Sequence, residues 1–464
     1  MTGGTRPHPV FAILAVTSVS AFVVPFMASA MNIALPSIAA EFAFGAVALT
    51  WVTMAYLLAS AMLLLPFGRL ADIFGRRRCF LIGTAAFTLF SGLAALASSG
   101  GWLITGRVLQ GIGGAMAFPT AIAILTEAFP REQRGKALGI NVTSTYLGLS
   151  LGPVLGGLLV HAWGWRSILW VNVPLGLVIF ALAVRHLPAD TPHSESRVDG
   201  VGSVLFSLAL GLLVYGFSRA TTGLGQTLIG LALLGFVVFG GWELRARHPM
   251  LDVRVFASNR LFLCSNLAAL INYAATSAVG FLLSLHLQNV KGLTPAAAGV
   301  VLLVQPAIMT LLSAFAGALS DRVAPRFLAS AGMAATAAGL LPMAWIAAAT
   351  PLAWIVADLV LLGLGFAFFS SPNTNAVMGS VEKRHLGVAS ATLATMRLTG
   401  QVLSMGLAAL VLSIVMGAAK IEPATFPLLL QSIRLIAVIF AVLCVVGVFV
   451  SLSRDAPPGN RPAG

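Results

Sequence analysis

Long apolar runs alternate with short polar stretches along almost the whole chain. Fourteen of these runs reach about twenty residues, the length that a helix needs to cross a bilayer. A membrane β-barrel would instead show alternation within segments of about ten residues. The pattern therefore predicts an all-α polytopic membrane protein with spans at residues 10–36, 47–67, 79–98, 102–126, 136–160, 168–187, 200–218, 226–244, 261–288, 296–320, 327–347, 351–371, 387–415 and 427–452.

Composition excludes several other classes of protein. Of the 464 residues, 58% are hydrophobic and 9% are charged, which rules out a set of soluble domains. The net charge is +13, but the basic residues lie in short loops, so nucleic acid is not an expected partner. Cys79, Cys264 and Cys444 lie far apart without nearby ligand residues, which argues against disulfides and a metal site. No nucleophile-base spacing or phosphate-binding loop indicates an enzyme, a cofactor or ATP hydrolysis.

The distribution of positive charge predicts the topology. An even number of spans places both termini on one side of the membrane. That side then carries 20 of the 27 Lys and Arg residues, and the other side carries four. We therefore expect a multi-pass protein of the cytoplasmic membrane with both termini in the cytoplasm. The first apolar run has no convincing cleavage site and is interpreted as a retained helix.

The loop after span 2, G-R-L-A-D-I-F-G-R-R-R at residues 68–78, holds four arginines in an otherwise apolar region. We predict a tight turn in which Gly68 and Gly75 let the backbone turn and Asp72 pairs with arginines or caps a helix. The spacing resembles the cytoplasmic loop signature of the major facilitator superfamily, although Ile73 replaces the usual basic residue. A plain positive loop that only sets topology is the alternative.

A second copy of this signature divides the chain. Residues 317–326 repeat G-x-x-x-D after span 10, as residues 68–78 do after span 2. Spans 1–6 and 9–14 are thus expected to form two pseudo-symmetric six-helix bundles around a central site, with spans 7 and 8 inserted. The predicted units are 1–187, 188–260 and 261–464, joined through a charged linker at 185–199.

We expect the loop at 68–78 to latch the two bundles together on the cytoplasmic side. Arg76 and Asp72 would take part, and Glu127 at the end of span 4 would pair with Arg76 or Arg77. These contacts would favour one of two global states of the molecule.

Spans 4 and 5 carry the most informative intramembrane residues. Arg107 lies about 8 Å below the membrane surface and needs a wet cavity or a partner, unless it snorkels outward. Small residues beside it permit close helix contact. Span 5 has a face of small residues suited to packing against a neighbour that must rock or slide. Its members are Gly139, Gly148, Gly152, Pro153, Gly156 and Gly157.

Motifs along nearly the whole chain resemble the fourteen-helix drug:proton antiporter branch of the major facilitator superfamily. They include N-I-A-L-P at 32–36, W-V-T-M-A-Y at 51–56, F-P-R-E-Q-R-G-K-A-L-G at 129–139, W-G-W-R at 163–166, N-V-P-L-G at 172–176 and H-P-M-L-D-V-R-V-F at 248–256. In that superfamily the span-5 glycine pattern is associated with antiporters. The resemblance implies export of hydrophobic or amphipathic small molecules by alternating access, in exchange for protons. A uniporter, or a proton-linked importer of a small metabolite, is the alternative, and a membrane-embedded enzyme or receptor is less favoured.

One position departs from that branch. Helix 1 of such transporters usually carries an aspartate five residues before the asparagine of N-x-A-L-P, and here the residue is Met27. The candidates for proton coupling are then Asp358, Arg107 and Arg397. Arg397 lies about 15 Å deep and could hold Asp358 or an anionic substrate. Asp358 could also be a surface residue if its span begins later. Two arginines against one aspartate would favour neutral or anionic substrates.

Polar residues scattered through the spans are candidates for the cavity lining. Each of them could equally serve in hydrogen bonds between helices. They are Asn32, Tyr56, Gln110, Asn141, Tyr146, Gln305, Asn373, Asn375 and Gln401. The expected partners are a small-molecule substrate, protons and membrane lipid, and the protein is expected to act as a monomer.

Overall fold

The computed structural model describes residues 10–190, 199–247, 249, 259–320, 322–381 and 386–454. Its α-helices are α1 (Val10–Phe42), α2 (Ala46–Phe74), α3 (Arg76–Ala95), α4 (Gly100–Ala128), α5 (Arg131–Trp163), α6 (Arg166–His186), α7 (Gly200–Ser218), α8 (Gly223–Glu243), α9 (Arg260–Thr276), α10 (Val279–Leu285), α11 (Pro295–Leu319), α12 (Pro325–Leu340), α13 (Leu352–Gly379), α14 (Leu386–Val415) and α15 (Phe426–Leu452).

The predicted fourteen spans are confirmed. Fourteen helical segments of the described chain are long and apolar enough to cross a membrane. The ninth, Arg260–Val290, is built from α9, α10 and a π-helical turn at His286–Val290. From that point on, the helix numbers run one ahead of the span numbers.

The turn between α2 and α3 is tighter than the sequence indicated. Only Gly75 separates the two helices, and its φ of 107° is strained for any residue with a side chain. Gly68 lies inside α2, and a Cβ atom added there would meet nothing within 4 Å. The expectation that Gly68 lets the backbone turn was therefore wrong, because α2 stays helical for six residues beyond it.

The helices form two bundles. Helices α1–α6 pack on one another as the N-terminal bundle, and helices α9–α15 pack as the C-terminal bundle. The repeated loop signature cannot be compared in full, since Asp321 lies outside the described residues. The same holds for the motif at 248–256, of which the structure describes residue 249 alone.

The inserted hairpin α7–α8 touches both bundles through α7. On one side, Ser207 Oγ donates to the Met62 carbonyl oxygen of α2 over 3.0 Å. On the other side, Phe217 lies so close to α14 that a Cβ atom on Gly406 would be 3.1 Å from its ring. Helix α8 packs on α7. The hairpin therefore covers the seam between α2 and α14.

The two bundles are joined at one end. We call the end that carries Gly75 and Leu187 the basic end, and the end that carries Gly45 and Gly164 the opposite end. Among the described residues, hydrogen bonds between the bundles lie from the helix middles to the opposite end. They join Ser284 to Asn32, Gln288 to Ile33, Ala46 to Ala419, Ser150 to Thr310 and Tyr146 to Ser370. This conformation is closed at the opposite end.

Candidate functional site

Three glycines of α5 let α1 approach closely. Gly148, Gly152 and Gly156 recur every fourth residue and share one helix face. A Cβ atom added at any of them would lie 2.3 to 2.6 Å from an atom of α1, closer than atoms can pack. The small-residue face predicted from the sequence is thus in contact with α1.

A second face of α5 contacts α11 of the C-terminal bundle. A Cβ atom on Gly157 would lie 2.5 Å from the Pro295 carbonyl oxygen, and one on Gly299 would lie 2.1 Å from the Pro153 carbonyl oxygen. Backbone meets backbone at this point, and the side-chain hydrogen bond between Ser150 and Thr310 joins the same two helices nearer their middles. By contrast, Gly139 has nothing within 4 Å of the added atom, and packing does not explain it.

Arg107 lies fully buried inside the N-terminal bundle. Its Nε donates to the Val52 carbonyl oxygen over 3.0 Å, and its guanidinium carbon lies 4.7 Å from the centre of the Tyr56 ring. Gln110 accepts from Nη1 and donates to Ser91 Oγ. The partners of Arg107 are thus neutral, and the alternative of outward snorkelling does not apply.

The sulfur of Met27 completes this arrangement. Arg107 Nη1 lies 3.2 Å and Gln110 Nε2 lies 2.9 Å from Met27 Sδ. An aspartate has its carboxylate oxygens at the same number of bonds from the backbone as this sulfur. A weak acceptor therefore stands where a carboxylate would pair with Arg107, and among the described residues Nη2 of Arg107 has no acceptor.

Arg397 is surrounded by hydroxyl groups and aromatic rings. Its Nη2 donates to Thr374 Oγ1 of α13 over 2.6 Å, and its guanidinium carbon lies 5.7 Å from the centre of the Tyr273 ring. Tyr146 of α5 approaches from the N-terminal bundle, with its hydroxyl 3.4 Å from Ser370 Oγ. These groups meet where the two bundles face each other.

Asp358 does not hold Arg397. The hydroxyl partner of Arg397, Thr374, lies sixteen residues further along the same helix, or about 24 Å at the rise of an α-helix. Asp358 is buried and has no ion-pair partner within 4.0 Å among the described residues. The alternative of a surface aspartate on a span that begins later is therefore wrong, since α13 begins at Leu352 and Asp358 is buried.

Three residues that were predicted to line the cavity form hydrogen bonds between helices of the same bundle. Asn141 Nδ2 donates to the Thr17 carbonyl oxygen, Asn373 Nδ2 to the Ser265 carbonyl oxygen, and Asn375 Nδ2 to Ser320 Oγ near the basic end. The sequence could not separate this role from cavity lining, because both put an amide inside a helical span. Asn32, Tyr146, Gln305 and Gln401 are half-buried, whereas Tyr56 and Gln110 belong to the Arg107 arrangement.

Asn373 also binds an arginine that the sequence analysis did not single out. Arg454, just after α15, is 1% exposed and donates from Nη2 to Asn373 Oδ1 over 2.7 Å. Burial lowers the pKa of its guanidinium to about 10, which still leaves it charged at neutral pH.

At the basic end, Arg76 ties three helices together. It donates from Nη2 to Asp72 over 2.9 Å and from Nη1 to Glu127 over 3.1 Å, which is one of the pairings expected for Glu127. Among the described residues, hydrogen bonds from this group stay within the N-terminal bundle. Its role as a latch between the bundles stays a prediction.

Asp190 caps α3, a contact that no pattern in the sequence indicated. Its carboxylate accepts from the backbone N–H groups of Arg77 over 2.7 Å and Arg78 over 3.2 Å. A side chain on Gly75 would collide with it, since an added Cβ atom would lie 2.2 Å from Asp190 Cγ. Asp190 is more than 100 residues from this turn in sequence, so no local spacing pointed to it.

Asp190→Ala should destabilise the protein by about 1–2 kcal/mol, because two N–H groups at the start of α3 lose their acceptor. The unfolding midpoint of purified protein in detergent, followed by tryptophan fluorescence, measures the loss. Asp190→Asn keeps an acceptor oxygen and should lose less. An unchanged midpoint for the alanine variant would show that the cap is dispensable.

At the opposite end, the W-G-W-R motif anchors α6 to α1. Arg166 donates from Nη2 to Glu41 Oε1 over 2.5 Å and from Nη1 to Oε2 over 2.7 Å, and Trp165 Nε1 donates to the same carboxylate. A bidentate pair of this kind fixes both position and orientation.

Two helical bundles that close at one end around buried polar groups, in a chain of fourteen membrane spans, define a transporter of small molecules and not an enzyme. The family model described as Major Facilitator Superfamily matches residues 17–404 and 265–464. The chain belongs to the major facilitator superfamily, and its fourteen helices fit the fourteen-helix branch.

Several relatives are named as transporters or resistance proteins. The chain is 34% identical to the cephamycin export protein CmcT of Amycolatopsis lactamdurans over 94% of this chain and 92% of that protein. It is 33% identical to the multidrug resistance protein Stp of Mycobacterium tuberculosis, covering 88% and 77%. It is 32% identical to the riboflavin transporter RibZ of Clostridioides difficile, covering 83% and 84%.

The fold is shared with a solved structure. A bacterial homolog of the human lysosomal transporter Spinster, in an inward-facing and unoccupied conformation, superposes with a TM-score of 0.69 at 18% identity. The match covers 97% of each chain.

Proposed function

We propose that this protein exports hydrophobic or amphipathic small molecules from the cytoplasm by alternating access, in exchange for protons. The basic end faces the cytoplasm, so that both termini lie inside and the conformation described above is closed on the outside. Residues 1–187 and 261–464 move against each other as a monomer, and residues 188–260 carry the inserted hairpin.

The contact between α5 and α11 carries this proposal. Backbone packs on backbone at Gly157 and Gly299, so the bundles can part there without disengaging side chains, and the Ser150–Thr310 hydrogen bond of the same two helices would break. A closed opposite end and a seam that can open are the two requirements of alternating access. Export is supported by the names of two relatives, a multidrug resistance protein and a cephamycin export protein.

The export function is tested in everted membrane vesicles. Addition of a transported dye should release protons from vesicles that were acidified inside, which a pH-sensitive fluorophore reports. Dye accumulation that ignores an imposed pH gradient would remove proton exchange from the proposal.

Asp358 is the proposed proton carrier, since it is a buried carboxylate without an ion-pair partner among the described residues. Asp358→Asn should abolish proton-driven accumulation while substrate binding stays within about twofold, because the amide keeps the shape and loses the titrating group. Asp358→Glu, which keeps a carboxylate, should retain transport. Proton-driven transport by the asparagine variant would assign the proton to another group.

A second candidate function is uptake or facilitated passage of a small metabolite. The resemblance to a riboflavin transporter favours it, as does Met27 in place of the helix-1 aspartate. The vesicle assay separates the two functions. In export by exchange the substrate and the proton move in opposite directions, whereas in the second function the substrate moves in the same direction as the proton or without a proton.

A further inference from the structure

Five side chains meet between the bundles and form what we call the Arg397 cluster: Arg397, Thr374, Ser370, Tyr273 and Tyr146. Thr374 and Ser370 lie one turn apart on α13, and the Thr374 hydroxyl also donates to the Ser370 carbonyl oxygen over 2.7 Å. Tyr146 joins the cluster through its hydroxyl, which lies 3.4 Å from Ser370 Oγ. The cluster thus holds a cation, two phenol rings and two hydroxyl groups.

The positive charge of this cluster is not balanced by a carboxylate among the described residues. No ion pair within 4.0 Å involves Arg397, and its Nε has no hydrogen-bond acceptor there. Asp358 is about 24 Å along α13 from the hydroxyl that Arg397 binds. A guanidinium at this depth is costly without a counter-charge.

The surrounding helices hold the cluster in place. Tyr273 packs edge-on against Phe366, with ring centres 5.2 Å apart and planes at 81°. Gly400, one turn after Arg397, lets α9 approach, because an added Cβ atom would lie 2.6 Å from the Leu270 carbonyl oxygen and 2.8 Å from Tyr273 Cβ. This packing therefore fixes the position of the Tyr273 ring relative to the Arg397 guanidinium.

This combination has a defined chemical preference. A guanidinium presents planar N–H donors that match a carboxylate, and only one of its donors is used by Thr374. The phenol rings beside it offer faces or edges to a planar aromatic group. A ligand with both features would satisfy the unpaired donor and cover the rings.

We propose that the Arg397 cluster binds an aromatic organic anion, with the carboxylate on Arg397 and the ring against Tyr273. This assignment rests on the proposed export function and names the substrate class. Residues of both bundles contribute, since Tyr146 belongs to α5 and the other four to the C-terminal bundle. Such a ligand binds the two global states differently and therefore shifts the equilibrium between them.

Binding of 2-naphthoate and of its neutral amide, 2-naphthamide, to the purified full-length protein tests the site. Isothermal titration should show tighter binding of the anion. Arg397→Gln should weaken naphthoate binding about tenfold or more and naphthamide binding less than about twofold, since one charged hydrogen-bond donor is lost. Arg397→Lys keeps the charge but not the planar guanidinium, so its affinity for naphthoate should lie between those of the unaltered protein and Arg397→Gln.

Matched variants separate binding from structural damage. Arg434→Gln makes the same change in α15, where the arginine donates to the Ile346 carbonyl oxygen away from the cluster, and it should leave naphthoate binding unchanged. Tyr273→Leu should weaken binding of both probes, because the aromatic ring is lost, and Tyr273→Phe, which keeps the ring, should weaken it less. Equal losses of the two probes in Arg397→Gln, or no preference for the anion in the unaltered protein, would overturn the assignment.

The outcomes distinguish this inference from the export proposal. Arg397-dependent naphthoate binding without proton-driven movement in vesicles would keep the site and remove the export function. Proton-driven export of a neutral dye, by a protein that does not bind naphthoate, would keep the export function and remove the site.

Discussion

Gly299→Ala is expected to hold the protein open at the opposite end and to abolish most of its transport. The added methyl group would lie 2.1 Å from the Pro153 carbonyl oxygen, which is backbone and cannot rotate away. Overpacking of this kind costs about 1–3 kcal/mol. Such a cost shifts a two-state equilibrium by about 5- to 150-fold.

A cysteine at position 284 reports the shift. Ser284 is fully buried where α10 meets α1, and the three native cysteines are buried as well. In intact cells, Ser284→Cys should react slowly with a membrane-impermeant maleimide and much faster when combined with Gly299→Ala. Gly317→Ala is the matched control on the same helix, since its added methyl group would meet Ser371 at an ordinary 3.7 Å. Equal labelling of both variants would exclude the α5–α11 seam as the contact that closes.

Met27→Asp is expected to add export of monovalent lipophilic cations such as ethidium. A carboxylate oxygen at the position of Met27 Sδ would lie near Arg107 Nη1, now 3.2 Å from the sulfur, and would cancel the buried positive charge. At about 10 Å and an effective dielectric constant of about 20, that charge repels a cation by about 1.7 kcal/mol. Its neutralisation should therefore raise ethidium export by about 15- to 20-fold.

The control for this substitution is Met27→Asn, which matches the shape of aspartate without its charge and should bring no gain. Ethidium efflux from loaded cells gives the rate for each variant. If the unaltered protein exports ethidium as well as it exports a neutral dye, and Met27→Asp brings no gain, the charge at Arg107 does not select substrates.

The spans, their number and the close packing of α5 could be predicted from the sequence, because each depends on residues that are near one another in the chain. Hydrophobic length identifies a membrane helix, and glycines at every fourth position mark a face that another helix can approach. Neither pattern says which helix will be the neighbour. The structure supplies α1 for Gly152 and α11 for Gly157.

Contacts between distant segments could not be predicted. Asp190 caps α3 from the segment that follows α6, and Tyr273 joins Arg397 from a helix more than 100 residues away. The sequence predicted a depth for Arg397 in its span but left open whether Asp358 meets it. The structure separates them along the helix axis, because Arg397 binds Thr374, which lies about 24 Å along α13 from Asp358.

The inserted hairpin has a consequence for substrates that dissolve in the lipid. Helix α7 covers the seam between α2 and α14, with Ser207 against one helix and Phe217 against the other. Helix α7 therefore blocks a compound that diffuses within the bilayer from entering between α2 and α14. Among the described residues, no helix covers the other seam, between α5 and α11. Under the proposed orientation, lateral entry from the inner leaflet would thus be one-sided, between α5 and α11.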